Sequence, residues 1–176
     1  EVPSSAKVVA GSIASSQASI GGHPNVAEHR DEVAKQFEKA VVMLHARQYE
    51  YALLALERVL LLAPQMPEAH VNRGYAYLGL NRPELAAQAF ERAIDLRRTQ
   101  ANAYYGWAIA ADQLGDRATA LGAMRSFVHL ADPEDAYVPR ARAALWEWQS
   151  ESPRSAPTGA RSSDETTGDR TLSQRG

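Results

Sequence analysis

Between residues 33 and 134 the sequence repeats itself every 34 residues, and no other feature restricts its folding as much. Aligned on that period, residues 33–66, 67–100 and 101–134 form three units with no insertion between them. Small residues recur at the eighth place (Ala40, Gly74, Ala108) and at the twentieth (Ala52, Ala86, Ala120). Large apolar residues recur at the twenty-fourth (Leu56, Phe90, Met124) and the thirtieth (Leu62, Leu96, Leu130). Within each unit apolar residues keep helical spacing, with a pause at Arg47-Gln48, Asn81-Arg82 and Gly115-Asp116. The period therefore predicts three helix–turn–helix units. The small residues let the two helices approach, and the bulky residue at the twenty-fourth place fills the remaining gap. Asn81 and Gly115 suit a left-handed residue ending the first helix, and Pro83 suits the first turn of the second.

The flanks differ from this centre. Residues 1–24 are rich in Ser, Ala and Gly and lack aromatics. Residues 151–176 are mostly Ser, Thr, Gly and charged side chains, with Leu172 as the only large aliphatic residue. Such compositions bury too little surface to offset ordering entropy, so a disordered leader (1–24) and a disordered tail (151–176) are expected around a single domain at 25–150. Asn25 and Glu28 have the spacing of a capping box, which predicts a first helix running to about Ala46. Pro139 predicts a last helix over 139–149, with Ala143, Leu145, Trp146 and Trp148 as its apolar side. That helix would cap the stack, because a repeat array needs an end that hides its last apolar face.

The run Asn72, Gly74, Tyr77, Asn81, Ala86, Phe90, Ala93 resembles the signature of the tetratricopeptide repeat family. The first unit departs from it at Gln36, Lys39 and Met43 but keeps Ala52, Leu56 and Pro64. The third has Ala111 where a tyrosine is usual, and its closing proline falls one residue late, at Pro133. The resemblance implies an all-α fold, a right-handed α-solenoid of three repeats with a C-terminal capping helix. It also implies that the first helices of successive units line a concave groove. Carried over place by place, Phe37, Val41 and Leu44 line it from the first unit, Val71, Asn72, Tyr75 and Leu78 from the second, and Tyr105, Ile109 and Asp112 from the third. Tyr75 and Tyr105 are the expected anchors, with Asn72 and Asp112 as polar orienting groups. Phe37 and Val41 suit a core as readily as a groove.

Family members that grip acidic chaperone tails use lysine, asparagine and arginine at set places, where this chain has Phe37, Val41, Asn72, Asn102 and Gly106. Only Asn72 matches, and a terminal carboxylate would find no cationic fork to pair with. The expected occupant is instead an amphipathic helix or an extended apolar segment of another protein.

Other chemistry is poorly supported. With 19 basic and 21 acidic residues the formal net charge is −2, which offers no general attraction for nucleic acid or an anionic membrane. The absence of cysteine excludes disulfides, thiolate metal sites and cysteine nucleophiles. His23, His29, His45, His70 and His129 show no paired zinc spacing, and no glycine-rich phosphate loop or serine elbow is present. No stretch approaches the roughly 20 apolar residues of a membrane span. Glu68 reads as part of a solvated helix face. The arginines of the tail alternate with carboxylates, which reads as a polyampholyte rather than a nucleic-acid arm.

The reading is thus a non-enzymatic adaptor or scaffold without cofactor or metal, whose partner is a protein or peptide segment. Two alternatives accompany it: an assembly factor of bacterial envelope or cytochrome maturation type that holds client segments, and a scaffold that pairs with its own copies. Glu1 in place of an initiator methionine fits a trimmed chain or one matured by a signal peptidase, so an exported, periplasmic setting and a cytoplasmic one both stay open.

Overall fold

A computed structural model describes residues 24–151, with side chains from residue 26 to residue 150. The expectations for residues 1–23 of the leader and 152–176 of the tail lie outside these residues, while Pro24 and Glu151, counted with those flanks, are helical. The described chain forms seven helices and no strand: α1 (Pro24–His45), α2 (Tyr49–Leu62), α3 (Pro67–Gly79), α4 (Pro83–Leu96), α5 (Ala101–Gln113), α6 (Arg117–Leu130) and α7 (Val138–Glu151). Helices pair as α1/α2, α3/α4 and α5/α6. The pairs stack in chain order through α2 on α3 and α4 on α5, with α3 also lying against both α1 and α5, and α7 packs on α6. The all-α solenoid implied by the repeat is the observed architecture. Helix α1 is already under way at Pro24, so Asn25 falls inside its first turn instead of ahead of it.

The cycle accounts for the core. Ala40, Ala52, Ala86, Ala108 and Ala120 are fully buried, and Leu56, Phe90 and Met124 fill the space between their helices. The twenty-seventh place, Val59, Ala93 and Phe127, is buried as well. Phe90 does more than fill its own pair. A Cβ added at Gly74 on α3 would meet the Phe90 ring at 2.6 Å, and one at Gly106 on α5 would meet it at 2.2 Å. The ring is therefore clasped between the first helices of two successive units, which are held at a spacing that only glycine permits.

Each unit turns in the same way. Gln48 N–H donates to the Met43 carbonyl (2.9 Å), Arg82 to Tyr77 (2.9 Å) and Asp116 to Ala111 (2.9 Å). The residue before each donor, Arg47, Asn81 or Gly115, has φ of 57°, 55° or 77°. This is the Schellman ending, three times over. Asn81 and Gly115 match expectation; Arg47 adopts the same conformation without the residue type that announces it. A left-handed non-glycine residue is strained, so Arg47→Gly should stabilise the fold by about 1 kcal/mol, net of the freedom glycine adds to the unfolded chain. A urea midpoint that does not rise would show that Arg47 is not held there.

Pro67 and Pro83 occupy the first turns of α3 and α4. Asp116 caps α6, its carboxylate accepting from Thr119 N–H at 3.0 Å. Bonds from the Thr119 hydroxyl and backbone lower the Asp116 pKa. Helix α7 buries Val138, Ala141 and Trp148, with Leu145 half-buried, whereas Trp146 is 76% exposed and Ala143 faces outward. Its buried face is thus rotated from the expected one, running through Val138, Ala141, Leu145 and Trp148 at helical spacing. Glu68 also departs from expectation. It is buried and paired with Arg97, whose guanidinium also reaches Gln100 at 3.3 Å, and so ties the two ends of the second unit together.

Candidate partner-binding surfaces

The first helices α1, α3 and α5 bring the predicted groove positions together, but they do not leave them equally open. Phe37, Leu44, Val71, Asn72, Tyr75 and Leu78 are buried, which corrects their assignment as open lining. Val41, Tyr105, Ile109 and Asp112 are half-buried and retain surface. The cause is the middle helix. Flanked by α1 on one side and α5 on the other, and drawn close at Gly74 and Gly106, α3 has its fifth, ninth and twelfth places covered by its neighbours.

Tyr75 is the clearest case. Only 4% exposed, it donates its hydroxyl to the Asn102 carbonyl of α5 at 2.9 Å and sets its ring edge-on to Phe90 at 5.1 Å. It is a joint between units, and burial raises its pKa, with Tyr105, Tyr137 and Asp135 adding to the shift. The hydroxyl therefore stays a donor. Asn72 is fully buried and its side-chain amide makes no hydrogen bond to the protein, so it does not present a polar group to a groove.

The third unit keeps the more open end. Tyr105 stands edge-on to Phe127 (4.9 Å) and to Tyr137 (5.3 Å), and Arg140 lies 5.6 Å from the Tyr137 ring centre. Burial raises the Tyr105 pKa, opposed by Arg140. Asp112 pairs with Arg117, which also lies over Trp148 of α7 at 5.3 Å. Ile109, two helical turns from Asn102, supplies the apolar surface between Tyr105 and this ion pair.

His70, at the start of α3, is buried. Its Nε2–H donates to the Pro64 carbonyl at 2.9 Å, and Nδ1 has no protein partner. Burial lowers its pKa. The bond to Pro64 opposes that shift, and Arg73 and Arg92 reinforce it. Because the folded imidazole binds a proton less readily than the unfolded one, stability should be intact above the ordinary value near 6.5 and fall as pH drops below it. His70→Gln should flatten that decline in denaturation curves between pH 7 and 5; an unchanged slope would remove His70 as its source.

Sequence reasoning passed over a second surface. On α2, Tyr51, Leu54 and Leu61 face solvent. Beside them a groove of about 480 Å³ opens between α1 and α2, lined in part by Gln36, Lys39, Met43 and Ala55. A smaller apolar hollow of about 230 Å³ lies at the other end of this helix pair, at His29, Val33, Ala34 and Leu62. The signal was available in a comparison of the same places across the three units. Among the described residues no three histidine or carboxylate side chains converge as metal ligands, and no helix is long and apolar enough to cross a membrane.

Helix pairs stacked in chain order on a fixed period, with glycines and alanines at the contacts, define an α-helical repeat solenoid. Residues 67–100 match the family model of the tetratricopeptide repeat. No curated protein matches the chain. Similar folds occur in the first tetratricopeptide domain of Spaghetti (RPAP3) bound to the HSP90 peptide SRMEEVD, at 20% identity and a TM-score of 0.63, covering 68% of this chain and 92% of that one. The Sgt2 tetratricopeptide domain from Aspergillus fumigatus is similar at 21% identity and a TM-score of 0.65, with 78% and 91% covered. PcrH in complex with the chaperone-binding region of PopD is similar at 19% and 0.65, with 69% and 93% covered. At these identities the likeness concerns the fold.

Proposed function

We propose that the protein is a non-catalytic interaction module that holds a helical or extended apolar segment of another protein across its first helices. The observation that carries this is the half-open apolar surface at Tyr105 and Ile109 on α5, with Val41 on α1 at the far side of a floor made by Val71, Tyr75 and Leu78. Apolar surface kept open beside a well-filled core favours a partner. Peptides bound by fold neighbours such as RPAP3 and PcrH support the mode of action. The bound HSP90 peptide is not the expected cargo, since the places of its cationic clamp hold Phe37, Val41, Asn102 and Gly106, and Phe37 is itself buried. The PopD complex favours a closely related second reading, a chaperone that shields a client segment before assembly; both use the same surface.

A photo-crosslinking residue placed at Ile109 or at Val41 should label one and the same partner in the source cells, whereas the same residue at Gln88 on α4 should not. Ile109→Asp should abolish labelling from Val41 with helical circular dichroism retained. Labelling equal at Gln88, or indifferent to Ile109→Asp, would reject the assignment. Tyr75→Ala is unsuited to this purpose, because it removes a joint of the stack.

A further inference from the structure

The nineteenth, twenty-second, twenty-sixth and twenty-ninth places of the cycle lie along the outward side of each second helix. In the second unit they are Leu85, Gln88, Arg92 and Asp95, and in the third Thr119, Gly122, Ser126 and His129. In the first they are Tyr51, Leu54, Arg58 and Leu61, with Tyr51, Leu54 and Leu61 exposed to 63, 62 and 71%. The geometry is the same three times, yet the first unit alone sets three large apolar side chains in this row.

The charges around the row are arranged in pairs. Leu54 and Leu61 are seven residues apart and so fall on one line along α2. At 3.6 residues per turn Glu57 lies about 60° to one side of that line and Arg58 about 40° to the other, and Glu50 and Tyr51 divide in the same way. All of them are exposed.

We infer that α2 is the interface of a homodimer, in which the α2 helices of two copies lie parallel about a twofold axis. Such an axis sets Leu54 against Leu54 and Leu61 against Leu61 of the second copy. It also exchanges the flanks, so Arg58 of each copy meets Glu57 of the other, and the Tyr51 hydroxyl meets Glu50. Lys39, on the α1 side of the adjoining groove, adds positive charge to the flank that receives the carboxylates. An antiparallel pairing would keep each flank against its like and set Glu50 and Glu57 against their counterparts, which is why the parallel arrangement is assigned. The row is self-complementary, as an isologous interface requires. Its modest extent makes the dimer one that dissociates on dilution.

The chain has no cysteine, so a single introduced one reports position without interference. Sedimentation should give a mass rising from one chain to two with concentration, and Leu61→Asp should hold it at one. Arg58→Glu should weaken association by about tenfold or more through like charges, and adding Glu57→Arg should restore it. Leu54→Cys should form a disulfide-linked dimer under mild oxidation, while Gln88→Cys, at the same place of the second unit, should not. Circular dichroism of each surface variant controls for folding. A single-chain mass at every concentration overturns the proposal, as does a dimer that survives Leu61→Asp or fails to link through Leu54→Cys. Crosslinking from Ile109 does not involve α2, so failure of this inference and failure of the concave-surface reading are told apart.

Discussion

Phe90→Ala should lower the stability of the folded chain by about 3–5 kcal/mol, the largest effect expected of any single side-chain deletion in the stack. Its ring is fully buried, packs edge-on against Tyr75 and touches both Gly74 and Gly106, so it belongs to two units at once. Truncation removes the transfer energy of a phenyl group and leaves a cavity that cannot collapse without moving α3 or α5. Because Tyr75 is bonded to Asn102 across the same junction, the loss should also loosen the third unit relative to the second. Urea denaturation monitored by far-ultraviolet circular dichroism measures this. A cost below about 1 kcal/mol would mean that the ring is not the key of that junction.

Gly106→Ala should also destabilise, by about 1–3 kcal/mol, although alanine is the better helix former by about 1 kcal/mol. The sign is decided by contact. The new methyl would lie 2.2 Å from the Phe90 ring, which is buried on every side and has no room to withdraw. Gly122, on α6 with nothing within 4 Å of an added Cβ, is the matched control, and Gly122→Ala should stabilise. If the clash is the cause, pairing Gly106→Ala with Phe90→Leu should cost less than the sum of the two changes, since the smaller side chain gives back the volume that the methyl takes. Strict additivity would place the effect elsewhere.

These residues also mark what the sequence made legible. The 34-residue cycle, with alanine or glycine at its eighth and twentieth places, was enough to phase the helix pairs, and Pro83, Asn81 and Gly115 marked their turns. Each of those signals is local: one residue type answers one backbone requirement. The openness of the groove was not local. Whether Tyr75 faces a partner or a neighbour depends on the distance between α3 and α5, and that distance is set by Gly106 and Phe90, which lie in different units. Arg47 was hidden for the opposite reason, since the repeat imposed a left-handed turn on a residue that does not favour it. The pairing of Glu68 with Arg97 joins residues 29 apart, beyond the reach of any helical spacing rule. On α2 the evidence was present from the start. Tyr51, Leu54 and Leu61 keep helical spacing, and such a row ordinarily signals a buried face; only the polar residues at the same places of α4 and α6 show that here it points outward.

The central claim is that the second and third units are held at a fixed close spacing by one aromatic ring, from which the half-open face of α5 follows. A nuclear Overhauser spectrum tests it most directly. The Phe90 ring protons should show strong cross-peaks to the α-protons of both Gly74 and Gly106. Cross-peaks to Gly74 alone, or to neither, would contradict the packing on which the proposed binding surface rests.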